Sequence, residues 1–177
     1  MPTLCVVAQT RWLSDEEQRA WREFVWATRL LFDALDRQLQ RDSGMPHTYY
    51  IILAMLSEAP DRTLTMGQLA ELVRSSPSRL SHAVARLEES GWVVRAKHRT
   101  DRRTTLAQLT DDGFAVLAAA APGHVEAVRR YVFDRLTKEQ VRVLHEACAT
   151  VHEGLDMSSR DVGGRTVASG DPRLRGE

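Results

Sequence analysis

Cysteine is scarce in this chain: Cys5 and Cys148 are the only two among 177 residues. Two cysteines cannot build a disulfide scaffold, and their rarity points to a reducing, cytoplasmic setting. Long apolar runs are missing as well. No stretch approaches the roughly 20 residues needed to cross a bilayer, so no membrane partner is expected. The opening residues Met1-Pro2-Thr3-Leu4-Cys5-Val6-Val7-Ala8 lack the basic start and long apolar segment of a secretory signal. Catalytic signatures are absent too: there is no phosphate loop, no Gly-x-Ser-x-Gly, no His-Glu-x-x-His and no convincing pair of carboxylates. The sequence therefore predicts no enzyme, and no catalytic residue, metal site or cofactor is assigned. An excess of charge is lacking, since 24 Lys+Arg balance 24 Asp+Glu. That neutrality, taken over the whole chain, argues against a nucleic-acid partner.

What is present changes that first impression. A hydrophobic fraction of 43% beside 27% charged residues describes a globular protein able to bury a core unaided. The charge is unevenly placed. Between residues 62 and 103 nine basic residues (Arg62, Arg74, Arg79, Arg86, Arg95, Lys97, Arg99, Arg102, Arg103) face four acidic ones (Glu71, Glu88, Glu89, Asp101), a net +5. The remaining 15 basic and 20 acidic residues carry −5. A basic face of this kind suits a polyanion, provided the same window has a fitting architecture.

The pattern of caps and stripes supplies one. Ser14-Asp15-Glu16-Glu17 reads as a capping box opening a long helix, with Trp21, Phe24, Thr28, Leu31, Leu35 and Leu39 on one stripe. Ser43-Gly44 ends it, and Pro46 suits the first turn of a second helix, apolar nearly all round, that reaches Glu58. After a turn at 60–62, Thr63-Leu64-Thr65 allows a minimal strand. Thr65-Met66-Gly67-Gln68 is a second capping box, starting a short helix with Leu69, Leu72 and Val73 expected inward. Ser75-Ser76-Pro77 stops that helix and begins a fourth, with Ser76 as cap. There Leu80, Val84 and Leu87 bury one side, Ser78, Arg79, His82 and Arg86 show on the other, and Gly91 closes the helix. Two β-prone runs, 92–97 and 104–109, flank a tip at 98–103 and predict a hairpin. Thr110 caps a fifth helix expected to reach about Leu136 with a kink at Pro122-Gly123. Thr137-Lys138-Glu139-Gln140 boxes a sixth. From Asp156 on, Gly, Ser, Arg and Asp predict a disordered tail.

Helix, short strand, helix, tight turn, helix and hairpin compose a winged helix-turn-helix, whose second helix enters the major groove of DNA. The fold class expected is mainly α with a small β-hairpin wing and flanking dimerisation helices. Ser75, Ser76 and Ser78 set hydroxyls and free amides at a helix N-terminus, where a phosphate is well received. Arg79, His82 and Arg86 lie on the exposed face, Arg79 and His82 within reach of base edges. The hairpin contributes Lys97, Arg99, Arg102 and Arg103 around Asp101; an arginine in a narrow minor groove meets enhanced negative potential.

The stretch from Leu69 to Gly113 resembles the MarR family of bacterial transcriptional regulators. Arg79-Leu80, then Leu87-Glu88-x-x-Gly91-Trp92-Val93-x-Arg95, and Asp101-x-Arg103 through Leu109-Thr110-x-x-Gly113 carry the likeness. The resemblance implies an obligate homodimer on a pseudo-palindromic DNA site, with Arg103 in the minor groove and Asp101 holding the wing's shape. The function expected is sequence-specific regulation of transcription on double-stranded DNA, as a repressor. The alternative is a winged helix serving only as a protein-interaction module. The expected organisation is an arm and first dimerisation helix at 1–44, a DNA-binding lobe at 45–110, further dimerisation helices at 111–155 and the tail at 156–177. Two-fold pairing also follows from the apolar stripes of the first and last helices, which exceed what one small lobe can cover. Members of the family often respond to small aromatic compounds, for which Trp21, Trp26, His47, Tyr49 and Tyr50 are candidate pocket residues. Some sense oxidants through an N-terminal cysteine, but Cys5 sits in an apolar run with no neighbouring cation to activate it. His145, Cys148 and His152 share a helix face spanning about 10 Å, too long for one metal ion.

Overall fold

The computed structural model describes residues 10–98 and 100–164, the side chains of 156–164 aside. Cys5 and Arg99 lie outside the described residues, as does the expected tail beyond Gly164. The chain divides into two compact units with the boundary between Val128 and Arg129. No helix among the described residues is long and apolar enough to cross a membrane.

Helix α1 (Asp15–Ser43) begins at the reciprocal box read from sequence: the Ser14 amide donates to Glu17 Oε2 at 2.7 Å, and the Glu17 amide donates to Ser14 Oγ at 3.2 Å. Gly44, left-handed at φ 64°, ends it. Only the C-terminal part of the stripe is buried, through Leu35 and Leu39, whereas Trp21 remains 58% exposed and Phe24 53%. Helix α2 (His47–Glu58) places Ile52, Leu53 and Leu56 at the centre of the core. Pro46 stands at its N-cap, one position earlier than expected, and has no side chain to offer the helix amides. The missing acceptor comes from α1, where Asp36 Oδ1 accepts from the His47 amide at 2.8 Å.

A 3-10 turn (Pro60–Arg62) leads into β1 (Thr63–Thr65). Asp61 and Arg62 are both left-handed, at φ 51° and 52°, a geometry disfavoured for residues with a Cβ. Arg62 is anchored there by Asp111 at 3.0 Å and by stacking over the Phe114 ring. The Thr65–Gln68 box opens α3 (Met66–Leu72). Leu72 points outward, 54% exposed, against expectation. The buried side of this short helix is centred on Leu69 and Ala70, with Val73 between them at 100° per residue; Leu72 falls off the other edge.

Helix α4 (Pro77–Glu89) has Ser76 as N-cap and Pro77 at its first turn, and buries Leu80, Ala83, Val84 and Leu87. Strands β2 (Val93–Lys97) and β3 (Thr105–Leu109) form the hairpin, which β1 joins in an antiparallel sheet of order β1-β3-β2. The register pairs Val93 with Leu109 at the base and Lys97 with Thr105 near the tip. The minimal strand thus widens the expected hairpin into a three-stranded sheet.

Helix α5 (Asp111–Tyr131) runs through Pro122 and ends five residues before the expected Leu136. Val132 leaves helical geometry, and a 3-10 turn (Phe133–Arg135) follows in which Arg135 Nε donates to the Arg130 carbonyl. Gly123 serves close packing: a Cβ there would lie 3.3 Å from Gln38 Nε2 of α1. In the second unit the Thr137–Gln140 box starts α6 (Lys138–Gly164). No side chain of α6 up to Leu155 is buried, so Val143, Leu144, Val151 and Leu155 remain exposed along with His145 and Cys148. The helix passes the expected start of the tail at residue 156, and no Gly or Pro stands between Leu155 and Val162 to stop it.

Candidate nucleic-acid interface

The turn between α3 and α4 is tight because Arg74 adopts a left-handed φ of 49° and the Ser75 amide donates back to the Ala70 carbonyl at 3.0 Å. This brings the three serines to the start of α4. Ser76 Oγ accepts from the Arg79 amide at 3.4 Å, Ser75 Oγ lies 3.5 Å from the Ser76 carbonyl, and Ser78 is exposed. Four apolar residues turned inward on α4 leave Ser78, Arg79, His82 and Arg86 on the solvent face. Arg86 is engaged by Glu89 at 2.8 Å, with both side chains well exposed. Arg79 makes no ion pair among the described residues.

The wing has its own internal scaffold. Asp101 Oδ1 accepts from the Arg103 amide at 3.0 Å, Asp101 Oδ2 accepts from the Thr104 hydroxyl at 2.7 Å, and the Thr104 amide returns to the Asp101 carbonyl. The Thr104 hydroxyl and the Arg103 amide hold the Asp101 carboxyl below its ordinary pKa. One carboxylate thus closes the tip and leaves the Arg102 and Arg103 side chains exposed, with no ion pair among the described residues. Lys97 Nζ donates to the Thr105 hydroxyl at 3.1 Å, steadying the hairpin's sides.

A contact between α4 and the wing has no local signature in the sequence. Glu88 near the end of α4 accepts from the Arg95 amide at 3.1 Å, and its other oxygen takes Arg95 Nε at 2.7 Å and Nη2 at 2.6 Å. These bonds lower the Glu88 pKa and fix β2 against α4. The partners lie seven residues apart, but α4 ends at Glu89 and the left-handed Gly91 turn intervenes, so helical periodicity does not bring them together.

The expected pocket residues separate into two groups. His47 and Tyr50 come together: His124 of α5 lies 5.6 Å from the His47 ring and 4.3 Å from the Tyr50 ring, and Phe32 lies 5.6 Å from the His47 ring. Burial lowers the pKa of both histidines, Asp36 opposing the shift at His47 and His47 adding to it at His124. His124 Nδ1 and Gln38 Oε1 are buried without hydrogen-bond partners among the described residues. Tyr49 packs against the core, whereas Trp21 and Trp26 stand exposed on α1. His124 escaped the sequence reading; its one signal is a lone imidazole after the apolar run Ala118-Ala119-Ala120-Ala121.

The MarR family model matches residues 43–104. A MarR family transcriptional regulator from Streptomyces coelicolor, solved in complex with DNA, is 55% identical with a TM-score of 0.80, over 83% of this chain and 92% of that one. AbsC, a MarR family regulator from the same organism, is 39% identical with a TM-score of 0.78, over 83% of this chain and 99% of its own. Among curated proteins, the HTH-type transcriptional regulator PecS of Dickeya dadantii is 29% identical over 118 residues, spanning 65% of this chain and 71% of PecS.

Proposed function

The chain belongs to the MarR family of transcriptional regulators, and on that footing we propose that it acts as a homodimer that represses transcription by occupying a pseudo-palindromic operator. Helix α4 enters the major groove, where Arg79 and His82 reach base edges. Ser75, Ser76 and Ser78 receive a phosphate at the start of the helix, and Arg86, Lys97 and Arg102 meet the backbone. Arg103 enters the minor groove. The Arg86–Glu89 pair is no obstacle, since an exposed pair is worth only about 0–1 kcal/mol and a phosphate can displace it.

The observation that carries this reading is how the cations are sorted. Within one basic window carboxylates hold Arg62, Arg86 and Arg95. Arg79, Arg102 and Arg103 are exposed on α4 and the hairpin tip without an ion pair among the described residues. The dimer is supported by the exposed apolar residues of α1, α5 and α6 (Trp21, Phe24, Val125, Val143, Leu144 and Val151 among them), more than an isolated soluble chain ordinarily leaves to water. A small aromatic effector would act at His47, Tyr50 and His124. It would shift the dimer only by preferring one of its states.

Selection of bound fragments from random DNA tests the reading. The expected product is an inverted repeat with half-sites about 10 base pairs apart, or a multiple of that. Light scattering at micromolar concentration should give the mass of a dimer. Unenriched DNA together with a monomer would remove the proposal.

A further inference from the structure

The end of the recognition helix and the start of α5 meet at one hydroxyl. Thr110 Oγ1 donates to the Gly91 carbonyl at 2.8 Å and accepts from the Gly113 amide at 2.9 Å. The second bond is an ordinary N-terminal cap. The first is not required by capping: it spends the hydroxyl's single hydrogen on a residue 19 positions away, the left-handed glycine that closes α4. Beside it, the Thr110 amide donates to the Trp92 carbonyl at 3.0 Å. Gly113 completes the joint, because a Cβ there would stand 2.1 Å from that same carbonyl. On the other side of this corner, Glu88 and Arg95 tie α4 to β2.

Farther along, α5 meets the core through apolar side chains such as Leu117 and Ala120. Apolar packing has no strong directional preference, whereas a hydrogen bond weakens steeply with angle. The angle between α4 and α5 is therefore set mainly at residues 91–92 and 110–113. Lever geometry makes the angle consequential: about 10° at the joint moves a point ~20 Å away by ~3.5 Å, about one base-pair rise.

We propose that Thr110 is a positioning residue, its hydroxyl fixing α4 relative to α5 and thereby the half-site spacing that the DNA-bound dimer accepts. The inference rests on the DNA-reading dimer proposed above. Without the Gly91 bond the protein still folds and α4 still reads a half-site, but the two recognition helices are held less strictly apart.

The test uses the DNA that the wild-type protein selects from a random pool, and two derivatives with the half-sites moved one base pair closer or farther. Anisotropy titrations are run on wild type, Thr110→Ser, Thr110→Val and Thr110→Ala. The readout is each variant's ratio of affinities for native and shifted spacing, which does not depend on the folded fraction. Wild type and Thr110→Ser should favour native spacing by at least about tenfold, as expected when each recognition helix must meet its own half-site. Thr110→Val and Thr110→Ala should bring the ratio below about threefold, within the loss of one or two hydrogen bonds. An unchanged ratio in both, or variants that cannot fold at all, would show that the hydroxyl serves only the fold and would overturn the proposal. Wild type that selects no inverted repeat would instead strike the dimer reading itself.

Discussion

Single side chains divide the basic window into groups that work inside the protein and groups that face outward. Arg95 and Arg62 belong to the first kind, held by Glu88 and by Asp111 with the Phe114 ring. Arg79, Arg102 and Arg103 belong to the second. Arg103→Ala should weaken operator binding about tenfold or more while leaving the circular-dichroism spectrum unchanged, and should lower the salt slope by about one. Asp101 gives a sharper test because charge and geometry point in opposite directions. Removing a negative charge beside DNA should tighten binding by Coulomb's law alone. Yet Asp101→Ala frees the Arg103 amide and the Thr104 hydroxyl, so weaker binding in an anisotropy titration is expected. Tighter binding would mean that the wing's shape does not depend on that carboxylate. Its pKa is lowered, so the wing's bonds are complete above the ordinary carboxylate range and are lost as pH falls through the folded value.

At the scale of elements, the fold rests on caps and close approaches. Gly113→Ala should cost about 2–4 kcal/mol in denaturant unfolding, since the new methyl meets backbone rather than a flexible side chain. Ser76→Ala should cost about 1 kcal/mol by removing the acceptor at the head of α4. Ser76 and the other caps were legible in the sequence because their signals are local. Ser14 with Glu17, Thr65 with Gln68, Thr137 with Gln140, Ser76 before Pro77, and Gly44 and Gly91 each mark a boundary within four residues. What escaped depends on distant neighbours. Leu72 was misplaced because the centre of the buried face on α3 is set by α2 and α4, not by period. The start of α2 takes its cap from Asp36 on another helix. The Glu88–Arg95 tie, the approach of Gly123 to Gln38 and the meeting of His124 with His47 all need the tertiary fold before they exist.

Over the whole molecule, neutrality conceals a division. The chain sums to zero, but within the basic window Arg79, Arg102 and Arg103 make no ion pair among the described residues, while Arg142 of α6 is held between Glu139 and Glu146. Acid should destabilise the protein in a defined window. Both His47 and His124 have folded pKa values below the ordinary histidine value, so their neutral forms favour the folded state. Stability is therefore complete above about pH 6.5 and falls as pH drops from there through the folded values. Thermal melts between pH 8 and 5 should show this loss, and His47→Gln with His124→Gln together should flatten it. A melt as steep in the double variant would assign the pH dependence to other groups.

The proposed dimer, locally basic and globally neutral, should read one DNA sequence, and anisotropy measured against salt decides whether it does. The selected operator and a scrambled duplex of equal length are titrated from about 50 to 200 mM salt. The operator should bind about a thousandfold or more tighter than the scramble, with the logarithm of affinity for both falling linearly in log salt. Equal affinity for the two duplexes, or binding indifferent to salt, would contradict it.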